Sequence, residues 1–268
     1  MSTNSAYVSE LAHYSPGAFR TNWHPMPGVS LDELNRDGEQ KKELQSQPDL
    51  IPLFNPEDME SARRYAESLD QAECLRLVSF LSKLEGENRF RWLAPAIPPN
   101  RVLEMKKDFP NFSDVLDEVA THLALSRLSG ENQATLSIPP ILLVGPPGVG
   151  KTYFARKLCA TLGAFFHETS LSSNSAGFIL SGLDMGWSSG KPGLVFRTLL
   201  ECPDANPFIL LDEIDKARSG ITSDPLGALY GLLEPHMAKR FRDEAVTLPM
   251  DASHILWVAT ANDAANIP

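Results

Sequence analysis

The chain has 268 residues, with 24 Lys and Arg against 34 Asp and Glu and a formal net charge of −10. At 43% hydrophobic and 22% charged residues it is an ordinary globular composition, long enough for one large domain or two smaller ones. The acidic balance argues against a sequence-independent nucleic-acid coat, and three scattered cysteines (Cys74, Cys159, Cys202) exclude a disulfide scaffold or a zinc cluster and suit a reducing compartment.

The N-terminus lacks the basic-then-apolar pattern of a secretory signal, and no apolar run reaches the ~18–20 residues of a membrane helix. The expectation is a cytoplasmic protein without a membrane partner. Residues 1–56 are irregular and dotted with prolines, with one short helical candidate from Leu31 to Leu44. From Asp58 to Leu84 the apolar residues Leu69, Leu77, Phe80, Leu81 and Leu84 recur at three-to-four spacing, which predicts a helix or a helical pair. Residues 94–100, Ala-Pro-Ala-Ile-Pro-Pro-Asn, cannot be helix interior. They mark a boundary between an unassigned, mostly helical region (1–95) and a second domain (100–268). Ser113 is read as the N-cap of a helix whose apolar face runs from Val115 to Leu128 and which Gly130 stops.

From Pro139 the pattern changes. Ile141-Leu-Leu-Val144, Phe208-Ile-Leu-Leu211 and Ile255-Leu-Trp-Val-Ala259 are unbroken apolar runs, as expected of parallel strands buried on both faces, and helical stretches separate them. The C-terminal half therefore predicts an α/β fold, a parallel sheet flanked by helices.

The first of these runs leads into Gly145-Pro146-Pro147-Gly148-Val149-Gly150-Lys151-Thr152, a GxxxxGK[ST] phosphate loop in its required strand-to-helix setting. Backbone N–H groups in such a loop wrap phosphate oxygens, and the helix N-terminus adds a favourable dipole. Lys151 is placed on the β- and γ-phosphates and the Thr152 hydroxyl on Mg²⁺, so a nucleoside triphosphate and Mg²⁺ are expected here. The second run ends in Asp212-Glu213, at the strand tip where an open α/β sheet binds its ligand. Asp212 is expected to hold Mg²⁺, and Glu213 to polarise the attacking water as general base. The third run ends in Ala261-Asn262, and the Asn262 amide is placed to orient that water. The six histidines show no metal-ligand spacing, and Lys41-Lys42 and Lys106-Lys107 are too short for a nucleic-acid patch.

Three motifs in this order resemble the AAA+ ATPases, with Walker A at 145–152, Walker B at 208–213 and sensor 1 at Asn262. Asp224-Pro-x-x-Ala228-Leu229-x-x-Leu232-Leu233-Glu234-Pro235, Phe241-x-Asp243 and Leu248-Pro249-x-Asp251 narrow the resemblance to the ATPase module of Lon-type proteases, over about residues 100–268. The resemblance assigns Gly182-x-x-x-x-Trp187-x-x-x-x-Pro192-Gly193 to a pore loop, with Trp187 where the family grips an unfolded polypeptide. It implies a homo-oligomeric ring, a hexamer, with ATP at a subunit interface and a neighbour's arginine completing the site. A separate protease is a further partner it suggests. The stretch before the aromatic, Leu183-Asp184-Met185-Gly186, lacks the basic residues usual there. The AAA+ pattern also calls for a last strand, an arginine finger and a small helical lid after sensor 1, and none follows Asn262 in these 268 residues; nor does a Ser-Lys peptidase domain.

The expected function is therefore an AAA+ ATP hydrolase without peptidase activity, coupling hydrolysis to remodelling or unfolding of a polypeptide. One alternative is a nucleotide-binding protein without effective hydrolysis, since a finger arginine contributes ~10³–10⁵ in rate in related phosphoryl transfers. The other is a nucleic-acid-remodelling AAA+ ATPase, which the acidic composition disfavours.

Overall fold

A computed structural model describes residues 50–128, 134–171, 178–187, 189–217 and 226–267. The helix expected over Leu31–Leu44 and the stop expected at Gly130 lie outside the described residues.

The described chain opens with a short strand, β1 (Leu50–Pro52), which pairs antiparallel with β2 (Phe90–Trp92). Between them the predicted helical stretch is a pair, α1 (Pro56–Glu67) and α2 (Gln71–Ser82). Pro56 opens α1, where its missing N–H costs nothing. Asp70 caps α2, its carboxylate accepting from the Glu73 amide at 2.9 Å. The prolines of 94–100 stay out of helix interiors: Pro95 bridges to Thr135, and Pro99 is the first residue of α3 (Pro99–Glu104).

The helix expected from Ser113 is α4 (Ser113–Leu128), but Ser113 is not its N-cap. A 3₁₀ turn over Pro110–Phe112 runs straight into the helix, and Ser113 already has helical angles (φ −55°, ψ −41°). Its hydroxyl donates to the Pro110 carbonyl at 2.8 Å instead of accepting from the helix. The tighter turn upstream bonds the entering amides through the backbone, which leaves the side chain no capping role.

The α/β part follows as β3 (Ile141–Val144), α5 (Lys151–Leu162), β4 (Phe166–Ser170), α6 (Leu194–Glu201), β5 (Phe208–Asp212), α7 (Gly227–Leu233), α8 (Pro235–Ala238), β6 (Phe241–Arg242), β7 (Pro249–Met250) and β8 (Leu256–Ala261). β6 and β7 form a small antiparallel ribbon, with Phe241 opposite Met250. β3, β8, β5 and β4 lie side by side in that order, all parallel. Along β5, Phe208 and Leu210 enter one core while Ile209 and Leu211 enter the other. β8 divides its residues the same way, Leu256 and Val258 against Trp257 and Ala261. Two central strands with both faces covered explain why their sequences run apolar without alternation.

One core packs the sheet against α5, α4 and α3, through Phe154, Leu158, Leu116, Leu123 and Val102. There Phe112 stacks on Phe154 (4.2 Å between centroids, 7° between planes), fixing the helix that follows the phosphate loop. The other core joins the sheet to α6, α7 and the helical pair, through Phe196, Leu229, Leu77 and Leu81. The Arg91 guanidinium is buried there and donates to the Cys202 and Leu199 carbonyls at the end of α6, which ties β2 to that helix. Residues 50–92 thus share a core with the sheet.

Two strands depart from expectation. β3 is not buried on both faces, because among the described residues it is the outermost strand on its side: Leu143 is buried, while Leu142 and Val144 are about half exposed. β4 lacks an apolar run, Phe-His-Glu-Thr-Ser, because it lies at the opposite edge and its residues are only partly buried.

Candidate active site

The phosphate loop leaves the tip of β3 and turns into α5 through Gly148 (φ 84°) and Gly150 (φ 90°), backbone angles that side chains other than glycine resist. Gly150 occupies the N-cap of α5 and offers no capping side chain, so the helix begins without an internal acceptor for its first amides. Lys151, the first residue of that helix, is only 8% exposed. Its ammonium donates to the Gly145 carbonyl (2.7 Å), the Pro146 carbonyl (3.1 Å) and Asn262 Oδ1 (3.0 Å). All three acceptors are neutral oxygens. A buried cation served only by neutral oxygens, at an uncapped helix N-terminus, fits an anion such as a phosphate.

The Thr152 hydroxyl donates to Asp212 Oδ1 at 2.9 Å, across from α5 to the tip of β5. Thr260 donates to the same oxygen at 2.6 Å. A hydroxyl and a carboxylate in hydrogen-bond contact, beside the phosphate loop, are the hard oxygen ligands that Mg²⁺ takes together with phosphate oxygens. Thr260 also accepts from the Glu213 amide at 2.9 Å. Glu213 is in the left-handed conformation (φ 58°), which costs a non-glycine residue about 1–2 kcal/mol. Its carboxylate is paired with Lys216 in the same 3₁₀ turn, which holds the Lys216 ammonium above the ordinary lysine range. One turn along α5 from Thr152, Arg156 forms a two-pronged pair with Glu168 of β4 (2.7 Å for each bond). That pair keeps the guanidinium above its ordinary range and clamps the helix to the sheet's edge strand.

The structure thus brings together the phosphate loop (145–152), Asp212, Glu213 and Asn262 at adjoining strand ends. Thr260 is the residue that sequence reading passed over. Its signal was present: Thr260 lies near the C-terminal tip of β8, two places before Asn262, at the strand end where an open α/β sheet binds its ligand.

Trp187 is not part of this cluster. It sits on a loop whose arms pair at Leu183 and Lys191, each amide donating to the other's carbonyl at 3.0 Å. Its side chain is 66% exposed. Asp184, beside it, accepts from the Gly186 amide (2.7 Å) and from the Tyr65 hydroxyl (3.1 Å), which fastens the loop to α1.

Residues 141–268 match the family model "ATPase family associated with various cellular activities (AAA)". A Lon protease of Leptospira interrogans is 36% identical over 59% of this chain and 18% of its own length. The Lon protease of Treponema pallidum is 29% identical over 89% of this chain and 25% of its own. Among solved structures, an Hsp104–ADP complex of S. cerevisiae matches 68% of this chain and 24% of that one at 20% identity, with a TM-score of 0.45. The chain therefore spans about a fifth to a quarter of the length of these curated relatives. With a parallel sheet flanked by helices and a phosphate loop in place, residues 141–268 are an AAA domain, related in sequence to the Lon proteases.

Proposed function

We propose that this chain binds ATP with Mg²⁺ and hydrolyses it, in the manner of a Lon-like AAA+ ATPase, to remodel or unfold a polypeptide. The observation that carries the reading is the convergence of Lys151, Thr152, Asp212 and Asn262 at one end of the sheet. Lys151 and the loop backbone would hold the phosphates, with Gly145, Pro146, Pro147, Gly148, Val149 and Gly150 forming the cradle. Thr152 and Asp212 would hold Mg²⁺, which neutralises charge on the phosphates when bound. Glu213 takes the proton of the attacking water once it leaves Lys216, and Asn262 orients that water. Trp187, exposed on a loop fastened at its base, would contact the polypeptide. A homo-oligomeric ring, hexameric in the family resemblance, would be the working assembly, and a separate protease could work on what the ring releases.

The test is Mg²⁺-dependent ATP turnover by the 268-residue chain, with and without an unfolded, carboxymethylated polypeptide, compared with Glu213→Gln and Trp187→Ala. Glu213→Gln should keep nucleotide affinity and lose turnover by about 100-fold or more. Trp187→Ala should keep basal turnover and lose stimulation by the polypeptide. Equal turnover in wild type and Glu213→Gln overturns the role of Glu213, and undiminished stimulation in Trp187→Ala overturns that of Trp187.

A further inference from the structure

The loop that carries Trp187 rises from a narrow neck, and one buried carboxyl group sits at its centre. Asp243 follows β6, at the turn toward β7, and is 1% exposed. One of its oxygens accepts from the Gly193 amide at 2.7 Å. The other accepts from the Ala245 amide (2.9 Å) and the Val246 amide (3.2 Å). Gly193 is the N-cap of α6 and closes the Trp187 loop, so a single side chain joins the loop's exit, the start of α6 and the β6–β7 turn.

The rest of the neck is built to the same tolerance. Gly182, at the loop's entry, has φ 80°, and a Cβ there would lie 2.7 Å from one Asp243 oxygen and 2.8 Å from the Gly193 nitrogen. A Cβ on Gly193 would collide with the Leu180 carbonyl and the Gly182 nitrogen. Backbone bonds complete the bundle: Leu194 donates to Ile179 (2.6 Å) and Glu244 to Ser181 (2.7 Å). Entry, exit and turn therefore converge on a space that only glycines and one carboxyl group can share. Asp243 touches neither the phosphate loop nor the tips of β5 and β8, so the site assigned to nucleotide does not explain it.

We propose that Asp243 is a positioning residue for the Trp187 loop, bonding the loop's exit at Gly193 to the β6–β7 turn and packing directly against its entry at Gly182. The clamp stands on its own geometry. Its consequence for polypeptide handling rests on the function proposed above.

Amide hydrogen exchange on the full 268-residue chain without polypeptide or nucleotide, at pH 8, tests the clamp. In Asp243→Asn, which keeps one acceptor oxygen, the Gly193, Leu183 and Lys191 amides should exchange about tenfold faster, while those of β5 and β8 keep their wild-type rates. Gly182→Ala, which drives a methyl group into the carboxyl, should give the same local pattern. Unchanged exchange at Gly193 in both variants overturns the proposal. So does equal acceleration across the whole sheet, since that marks a general contribution to the fold rather than a hold on one loop. Binding of a fluorescently labelled, carboxymethylated polypeptide then separates the two ideas. If Trp187→Ala and Asp243→Asn both bind it several-fold more weakly, the clamp serves polypeptide handling. If exchange responds to Asp243→Asn and Trp187→Ala binds normally, the clamp holds and the polypeptide reading fails.

Discussion

The ammonium of Lys151 lies 3.0 Å from the side-chain oxygen of Asn262, although 111 positions separate them in the chain. The contact spans from the first turn of α5 to the tip of β8, and it exists because β3 and β8 are neighbours in the sheet, with Val144 opposite Ala261. Removing the cation should therefore affect both nucleotide binding and the setting of Asn262. Lys151→Met should weaken binding of a fluorescent ATP analogue by about 30- to 100-fold, the loss expected for a charge-assisted bond to phosphate. Titration of wild type and variant with the analogue reads this directly, and equal affinities would exclude Lys151 from the site.

Thr260 serves two partners at once, Asp212 and the strained Glu213 backbone. In Thr260→Val both lose a bond while the buried volume is kept. Chemical denaturation should show a loss of about 1–3 kcal/mol, and turnover should fall more than nucleotide affinity. Thr260→Ser restores the hydroxyl and should recover most of both. A Val variant with wild-type turnover would show that the hydroxyl has no part in setting Glu213.

The stack of Phe112 on Phe154, with Phe109 edge-on at 5.4 Å, anchors α5 beneath the phosphate loop. Phe154→Ala should cost about 3–5 kcal/mol, since it opens a cavity in the most densely aromatic part of that core. The midpoint of urea unfolding is the measurement. A shift worth under 1 kcal/mol would mean that neighbouring rings collapse into the space.

Asp243 also gives the protein a pH dependence of definite sign. Burial pushes its carboxyl up from 3.8 to about 7, against the pull of three backbone N–H donors and with help from the nearby Glu244 charge. The folded chain then keeps a proton that the unfolded chain releases above pH ~4. The stability due to that proton is fully present below pH ~4 and is lost as the pH rises through about 7. Between those limits wild type should lose stability relative to Asp243→Asn by up to about 1.4 kcal/mol per pH unit. Denaturation of the two proteins across pH 4–8 checks it, and parallel curves would refute it.

Much of this molecule is written in local sequence. The phosphate loop is legible because its glycines, lysine and threonine act within eight consecutive residues, and a strand and a helix must flank it. β5 and β8 are legible because burial on both faces leaves no polar position in the middle of either strand. The edge strand β4 is not, since half-exposed residues carry no such demand and His167, Glu168 and Thr169 resemble a loop. Ser113 misleads for a local reason as well: a serine before an apolar face reads as a cap, and whether a 3₁₀ turn takes that role is settled upstream.

By itself, then, the sequence determined the α/β class, the phosphate loop and the acidic and amide-bearing strand ends, because each depends on residues close together in the chain. Only the tertiary structure decided which of them meet. Strand order brings Asn262 to Lys151 and Thr260 to Asp212, and the convergence of three chain segments buries Asp243 beneath the Trp187 loop. Such contacts are made across the sheet and between loops, where spacing along the chain carries no information about distance.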